Sequence, residues 1–97
     1  MEMNGEKICA LCGEPAYYDD PLDKHHIFGG PFRKKSERDG LTVPLHHFKC
    51  HIFGPEAVHN NAENMQKLHE LGERKWLAEH PGSTTDDFIQ EYGRNYL

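Results

Sequence analysis

Residues 22 to 30 read LDKHHIFGG: two adjacent histidines, His25 and His26, in a short apolar stretch that ends in a glycine pair. Neighbouring side chains on an extended strand point to opposite faces, so the two imidazoles cannot serve the same partner. Beyond GGPFRKKSERDG (29–40) lies a second β-branched segment, LTVPLH (41–46). The pattern predicts paired strands over 23–28 and 41–46 joined by a loop, with Pro44 placing the second at an edge. One of His25 and His26 is then available to a metal and the other to a substrate water.

Outward from this pair, the amino-terminal side carries ICALCGEPA (8–16), the CxxCG form of a zinc knuckle. Cys9 and Cys12 reach one metal from a tight turn, and Gly13 tolerates the positive φ that such turns need. Two further soft ligands are required, and HFKC (47–50) repeats the two-residue gap. A Cys3His site of Cys9, Cys12, His47 and Cys50 follows, with His46 a competitor to His47 because the spacing from Cys50 allows either. On the carboxyl-terminal side the period becomes helical over 61–80, with Met65, Leu68, Gly72 and Trp76 on one stripe and Asn60 and Glu63 as a capping pair. HPGS stops that helix. A second begins at Ser83 or Thr84, has Asp86 and Asp87 in its first turn, and runs to about Tyr96 with Phe88, Ile89 and Tyr92 inward. These helices supply core, and His69 and His80 are expected on their surface.

Composition limits what such a chain can do. With 97 residues, 36% hydrophobic and 28% charged, it forms one domain, and a chain of this length buries only about 60 to 65% of its unfolded surface. A metal or a second subunit, giving a homodimer, would supplement so thin a core. The three cysteines are an odd number, and neither a signal-peptide pattern nor an apolar run near the roughly 18 residues of a membrane span is visible. A disulfide scaffold and a membrane role are therefore not expected, and the cytoplasm is. Five of the eight histidines fall between His25 and His51 together with Cys50, which concentrates nitrogen and sulfur ligands there.

The net charge of −5 is unevenly spread. Residues 1–23 hold one Lys against six acids, residues 24–59 six Lys/Arg against three acids, and residues 60–97 four against seven. The only basic segment is the one holding the histidines, and Arg33, Lys34, Lys35 and Arg38 suit a local phosphate contact better than a general polyanion-binding surface.

These residues resemble the HNH nucleases of the ββα-metal (His-Me finger) fold, and within them small phage or prophage proteins that look like KHHIFGG, RKKSE, GL, VPL, CH and VHNN in that order, ending in GRNYL. The resemblance runs from Cys9 to Leu97. It implies an α+β fold: a zinc-knuckle part (1–22), a ββα-metal core (23–60) and carboxyl-terminal helices (61–97). It further implies a metal-dependent endonuclease that hydrolyses DNA with low sequence specificity in a bacterial host cell. In the roles it carries over, His25 is a ligand of the catalytic divalent metal (Mg2+, Mn2+, Ni2+ or Zn2+). His26 is the general base, His51 (of CH) the second ligand and His59 (of VHNN) the third, while Zn2+ in the cysteine site is structural. Two features depart from the family. The middle Asn that usually orients the base would fall near Thr42, where there is none, with Asn60 or Asn61 as substitutes, and HHFKCH stands where CxxCH is more usual. A zinc-stabilised DNA-binding or adaptor module without catalysis is the rival from another class. A histidine-rich metal sensor or store leaves the basic segment unexplained.

Overall fold

The computed structural model describes residues 7–97 as an α+β fold with a two-stranded antiparallel sheet. Its elements are β1 (Leu22–His26), α1 (Arg33–Arg38), β2 (Thr42–His46), α2 (Ala62–Glu79) and α3 (Thr85–Tyr92), with a π-helical turn over His47–Ile52. Two compact units divide the chain. One takes residues up to His25 with Val43–Met65, the other His26–Thr42 with Gln66–Leu97.

In the first unit the knuckle closes as a tight turn, the Gly13 N–H donating to the Cys9 carbonyl at 2.9 Å with Gly13 at φ 81°. The Ala10 N–H donates to the Pro44 carbonyl at 2.8 Å, so the cysteine turn is hydrogen-bonded to β2. β2 then gives way to the π-helical turn, whose first N–H groups have no partner within the turn. Asp20 supplies one: its buried carboxylate accepts from the backbone of Phe48 at 2.8 Å and of Lys49 at 3.0 Å. A loop follows, in which the Asn60 amide donates to the carbonyls of Ile52 and Gly54. The cap at the start of α2 is Asn61, whose Oδ1 accepts from the Asn64 N–H at 3.0 Å. It lies one position after the expected Asn60, which serves the loop instead.

In the second unit the apolar residues of IFGG leave the strand. Ile27 and Phe28 are buried, and a Cβ on Gly72 of α2 would lie 2.7 Å from Ile27 Cγ2 and 2.8 Å from Phe28 Cε2. Only glycine permits that approach. Phe28 sits among the rings of Tyr92 (4.7 Å between centroids), His69 (5.4 Å), Tyr96 (5.5 Å) and Phe88 (5.6 Å). His69 and His80 are thus not plain surface residues: the first stacks on Phe28 and the second on Trp76 at 4.2 Å.

Three expectations about elements need correction. GGPFRKKSERDG is helical, a 3-10 turn over Gly30–Phe32 with Pro31 at its start and then α1. RKKSER consists of residues that tolerate helix, and Ser36 anchors it: its buried hydroxyl donates to the Leu41 carbonyl at 2.6 Å and accepts from the Phe28 N–H at 3.2 Å. β1 stops at His26 rather than residue 28, because Ile27 and Phe28 turn into the core. α3 is capped by Thr84 and Asp87 in a reciprocal pair but ends at Tyr92, where Gly93 adopts the left-handed conformation. The tail beyond it is held by the Tyr96 N–H donating to buried Glu73 at 2.6 Å.

Candidate metal centres

Cys9, Cys12, His46 and Cys50 bring one ligand atom each to within 4.8 Å of all the others, a Cys3His cluster that can hold zinc. The spacings suit the ion. With Zn–S about 2.3 Å and Zn–N about 2.0 to 2.1 Å, the edges of a tetrahedron are about 3.5 to 3.8 Å; His46 Nδ1 is 3.3 Å from Cys12 Sγ and 3.9 Å from Cys50 Sγ. The opposite ring nitrogen is committed, since His46 Nε2 lies 2.7 Å from the Pro15 carbonyl and must donate to it. The lone pair therefore sits on Nδ1, facing the sulfurs, and Tyr17 stacks on the ring at 4.5 Å.

The thiols themselves show why a cation fits. Burial would raise the Cys9 thiol, but the backbone N–H groups of Cys12, His46 and Leu11 point at its sulfur and bring it down to about 7. Burial and the neighbouring Cys9 and Cys12 push Cys50 up to about 12. Three thiolates crowd unfavourably on their own, and two positive charges among them reverse that.

His47 is not part of this cluster. His46 and Cys50 stand four residues apart across a helical turn and so share a face, whereas His47 is rotated away from it. Its Nδ1 donates instead to Asp23 Oδ2 at 2.6 Å. The two-residue gap of HFKC imitates the knuckle in letters only.

The second cluster is His25, His51 and His59, whose ligand nitrogens also lie within 4.8 Å of one another. His25 Nδ1 and His51 Nε2 are 3.3 Å apart, about the edge expected for two nitrogens on one small cation at about 2.0 to 2.1 Å. Asp23 sets the tautomer. It lies two residues before His25 on β1, and its Oδ2 accepts from His51 Nδ1 at 2.9 Å as well as from His47. Partial burial would raise this carboxyl, but the two imidazole N–H groups hold it below its usual range. An ionised carboxylate only accepts, so the His51 proton is on Nδ1 and its lone pair on Nε2, toward His25. His59 is exposed at the rim of the cluster, and partial desolvation of its ring, then the proximity of His51, lowers its pKa and favours the neutral form that a metal requires. Asp23, His47 and His51 form a third close group of possible ligands.

His26, the next residue along β1, belongs to the other unit, where its Nε2 lies 2.7 Å from Glu37 Oε1 on α1. Of the four expected phosphate contacts, Arg33 and Lys34 are exposed. Lys35 Nζ donates to the Glu91 carbonyl at 3.0 Å, and Arg38 is tied to Asp39 at 2.8 Å and to Glu91 at 2.9 Å. Those two cations therefore join α1 to α3.

Asp23 and Glu37 are absent from the residues singled out in the sequence. Asp23 carried a signal, because alternation places it on the same strand face as His25. Glu37 carried none while its segment read as a loop. Comparison of the chain with protein-family models, with curated proteins and with solved structures finds no match. Among the described residues no helix is long and apolar enough to cross a membrane.

Proposed function

We propose that this chain is a metal-dependent endonuclease of the HNH type, with a ββα-metal core, that hydrolyses DNA phosphodiester bonds with little sequence preference. The observation that carries the reading is the convergence of His25, His51 and His59 on one point, with the tautomer of His51 set by Asp23. Three imidazole ligands leave coordination positions open, as a catalytic site needs and a structural site does not. His25, His51 and His59 would hold a divalent cation there, which would supply positive charge to stabilise the charge that develops on the reacting phosphodiester.

The chain's own groups do the rest. His26 takes a proton from the attacking water as the water oxygen bonds to phosphorus and the bond from phosphorus to the 3′ oxygen breaks, and the departing 3′ oxygen takes a proton from a solvent water, leaving a 5′-phosphate and a 3′-hydroxyl. Such a base is typically worth about 10² to 10⁴ in rate. Arg33 and Lys34 hold flanking phosphates, which position DNA without reading its bases. The Cys3His cluster supports the fold and takes no part in the chemistry.

The test is nicking of a supercoiled plasmid by the purified protein with Mg2+, Mn2+, Ni2+ or Zn2+, beside His26→Ala. Metal-dependent cutting that His26→Ala abolishes, with DNA affinity retained, supports the reading. Wild-type protein that binds DNA and cuts with none of the metals overturns it in favour of an adaptor, a reading that the lack of Asn near position 42 also serves.

A further inference from the structure

We infer that Glu37 is the positioning residue of His26: its carboxylate holds the imidazole by Nε2 and thereby makes Nδ1 the nitrogen that receives the water proton. The inference rests on the proposed nuclease reading and adds to it a residue that does the work left undone by the missing Asn.

The geometry is specific. His26 Nε2 and Glu37 Oε1 are 2.7 Å apart, the short end for a charge-assisted bond. The histidine side chain is 14% exposed and the glutamate 51% exposed, so the bond forms from a largely enclosed ring to a half-exposed carboxylate. An ionised carboxylate only accepts, so Nε2 carries the proton of this bond and Nδ1 is the ring nitrogen left to meet the water. When Nδ1 takes up the water proton the ring becomes a cation, and the adjacent carboxylate stabilises it. The catalytic triad aspartate acts on its histidine in the same way.

A carboxylate on a flexible side chain positions nothing unless its backbone is fixed, and here it is. Ser36, the residue before Glu37, is fully buried, and its hydroxyl bonds the Phe28 N–H and the Leu41 carbonyl. The Ile27 N–H donates to the Leu41 carbonyl at 3.0 Å. The chain immediately after His26 and the helix carrying Glu37 are thus pinned to each other through one serine, within one unit.

The experiment is a double-mutant cycle on nicking kinetics with Glu37→Ala, Glu37→Gln, His26→Ala and Glu37→Ala/His26→Ala, all in full-length protein with zinc and the best activating metal. Glu37→Ala should lower kcat by about 10- to 100-fold, the scale known for removing the carboxylate partner of a metal-bound imidazole, with KM and the half-saturating metal concentration unchanged. Glu37→Gln should lose less, because its amide oxygen still accepts from Nε2 while the charge is gone. On the His26→Ala background Glu37→Ala should change nothing further. A proton NMR spectrum adds a readout independent of turnover: the hydrogen-bonded imidazole N–H of His26 should appear downfield in wild type and vanish in Glu37→Ala. If wild type cuts and Glu37→Ala keeps full kcat, or if its loss adds to that of His26→Ala, the positioning role is wrong and the nuclease reading stands. If wild type does not cut with any metal, both fall.

Discussion

His46→Ala and His47→Ala differ by one position, yet they should separate sharply. His46 is fully buried, and truncation removes four things at once: a ligand nitrogen facing two sulfurs, the hydrogen bond to Pro15, the stacking on Tyr17 and the volume of the ring. The missing bond to the exposed Pro15 carbonyl, which water can replace, costs about 0.5 to 1.5 kcal/mol, and the stacked pair contributes about 0.5 to 1.5 kcal/mol. These metal-independent losses come to about 1 to 3 kcal/mol. Since 1 kcal/mol shifts Tm by about 4 to 8 °C in a domain of this size, they alone lower Tm by about 5 °C or more. The zinc contribution disappears in addition, because a ligand bound only by the folded state adds about 4 kcal/mol when present at a thousand times its Kd. His47 is 34% exposed and gives up one hydrogen bond to a part-exposed carboxylate, a change of about 1 kcal/mol or less. Zinc content by mass spectrometry of the native protein, and Tm with and without chelator, decide the matter. Wild type and His47→Ala should hold one zinc and lose Tm on chelation. His46→Ala should hold less than one and respond little. A His46→Ala protein with full zinc beside a zinc-free His47→Ala protein would refute the assignment.

Four further outcomes follow from particular interactions. Asp23→Asn should weaken activating-metal affinity about 10- to 100-fold while leaving bound zinc unchanged, since Asp23 orients His51 and not the cysteine cluster; equal metal titrations in the two proteins would show that Asp23 is dispensable. His25→Ala should regain nicking activity in excess Mn2+ whereas His26→Ala should not, because only the first removes a ligand; recovery of both at the same concentration would make His26 a ligand. Arg33→Ala/Lys34→Ala should flatten the log-log salt dependence of DNA binding by roughly 0.9 for each phosphate that is no longer neutralised, with Tm unchanged, and an unaltered slope would leave both side chains as solvated charges. Asp39 is held below the usual carboxylate range by the Arg38 guanidinium, against the opposing effect of burial, and by the Tyr92 hydroxyl. A depressed carboxyl contributes stability above its unfolded value near 3.9 and loses it as pH falls through the folded one. Asp39→Asn should therefore lower Tm at neutral pH and lose less Tm than wild type on acidification below about pH 4; parallel Tm curves would remove the ion pair from the acid response.

What the sequence told and withheld follows from how each signal arises. CxxCG is local, so the turn, the left-handed Gly13 and the ligand pair Cys9 and Cys12 are legible without any tertiary information. The buried stripe of α2 is legible for the same reason, and the cap of α3 is narrowed to Ser83 or Thr84, of which the structure uses Thr84, since period and capping chemistry are properties of neighbouring residues. The choice between His46 and His47 was not. It depends on where β2 ends and the π-helical turn begins, and a terminus set by Asp20, far off in sequence, cannot be read from HHFKC. α1 was hidden for a related reason: RKKSER has no apolar stripe, and one buried serine rather than a hydrophobic face holds it in place.

The two clusters are not independent, and the backbone shows why. Cys50 and His51 are consecutive in the π-helical turn, one facing the sulfurs and the other facing His25. From the same two residues the backbone reaches across to the third histidine, the Val58 N–H donating to the Cys50 carbonyl at 2.8 Å and the His59 N–H to the His51 carbonyl at 3.4 Å. A zinc ion held at Cys50 would therefore fix the direction of His51 and the approach of His59 without touching either imidazole. Asp23 adds the third constraint from β1, and it accepts from His51 only while the turn keeps that direction. This order of dependence runs one way. Loss of His25 or His59 would leave the cysteine cluster its four ligands, whereas loss of a zinc held there would remove one constraint on the turn carrying His51, so, on the proposed reading, activating-metal affinity should fall on removing zinc while zinc content stays constant on removing His59.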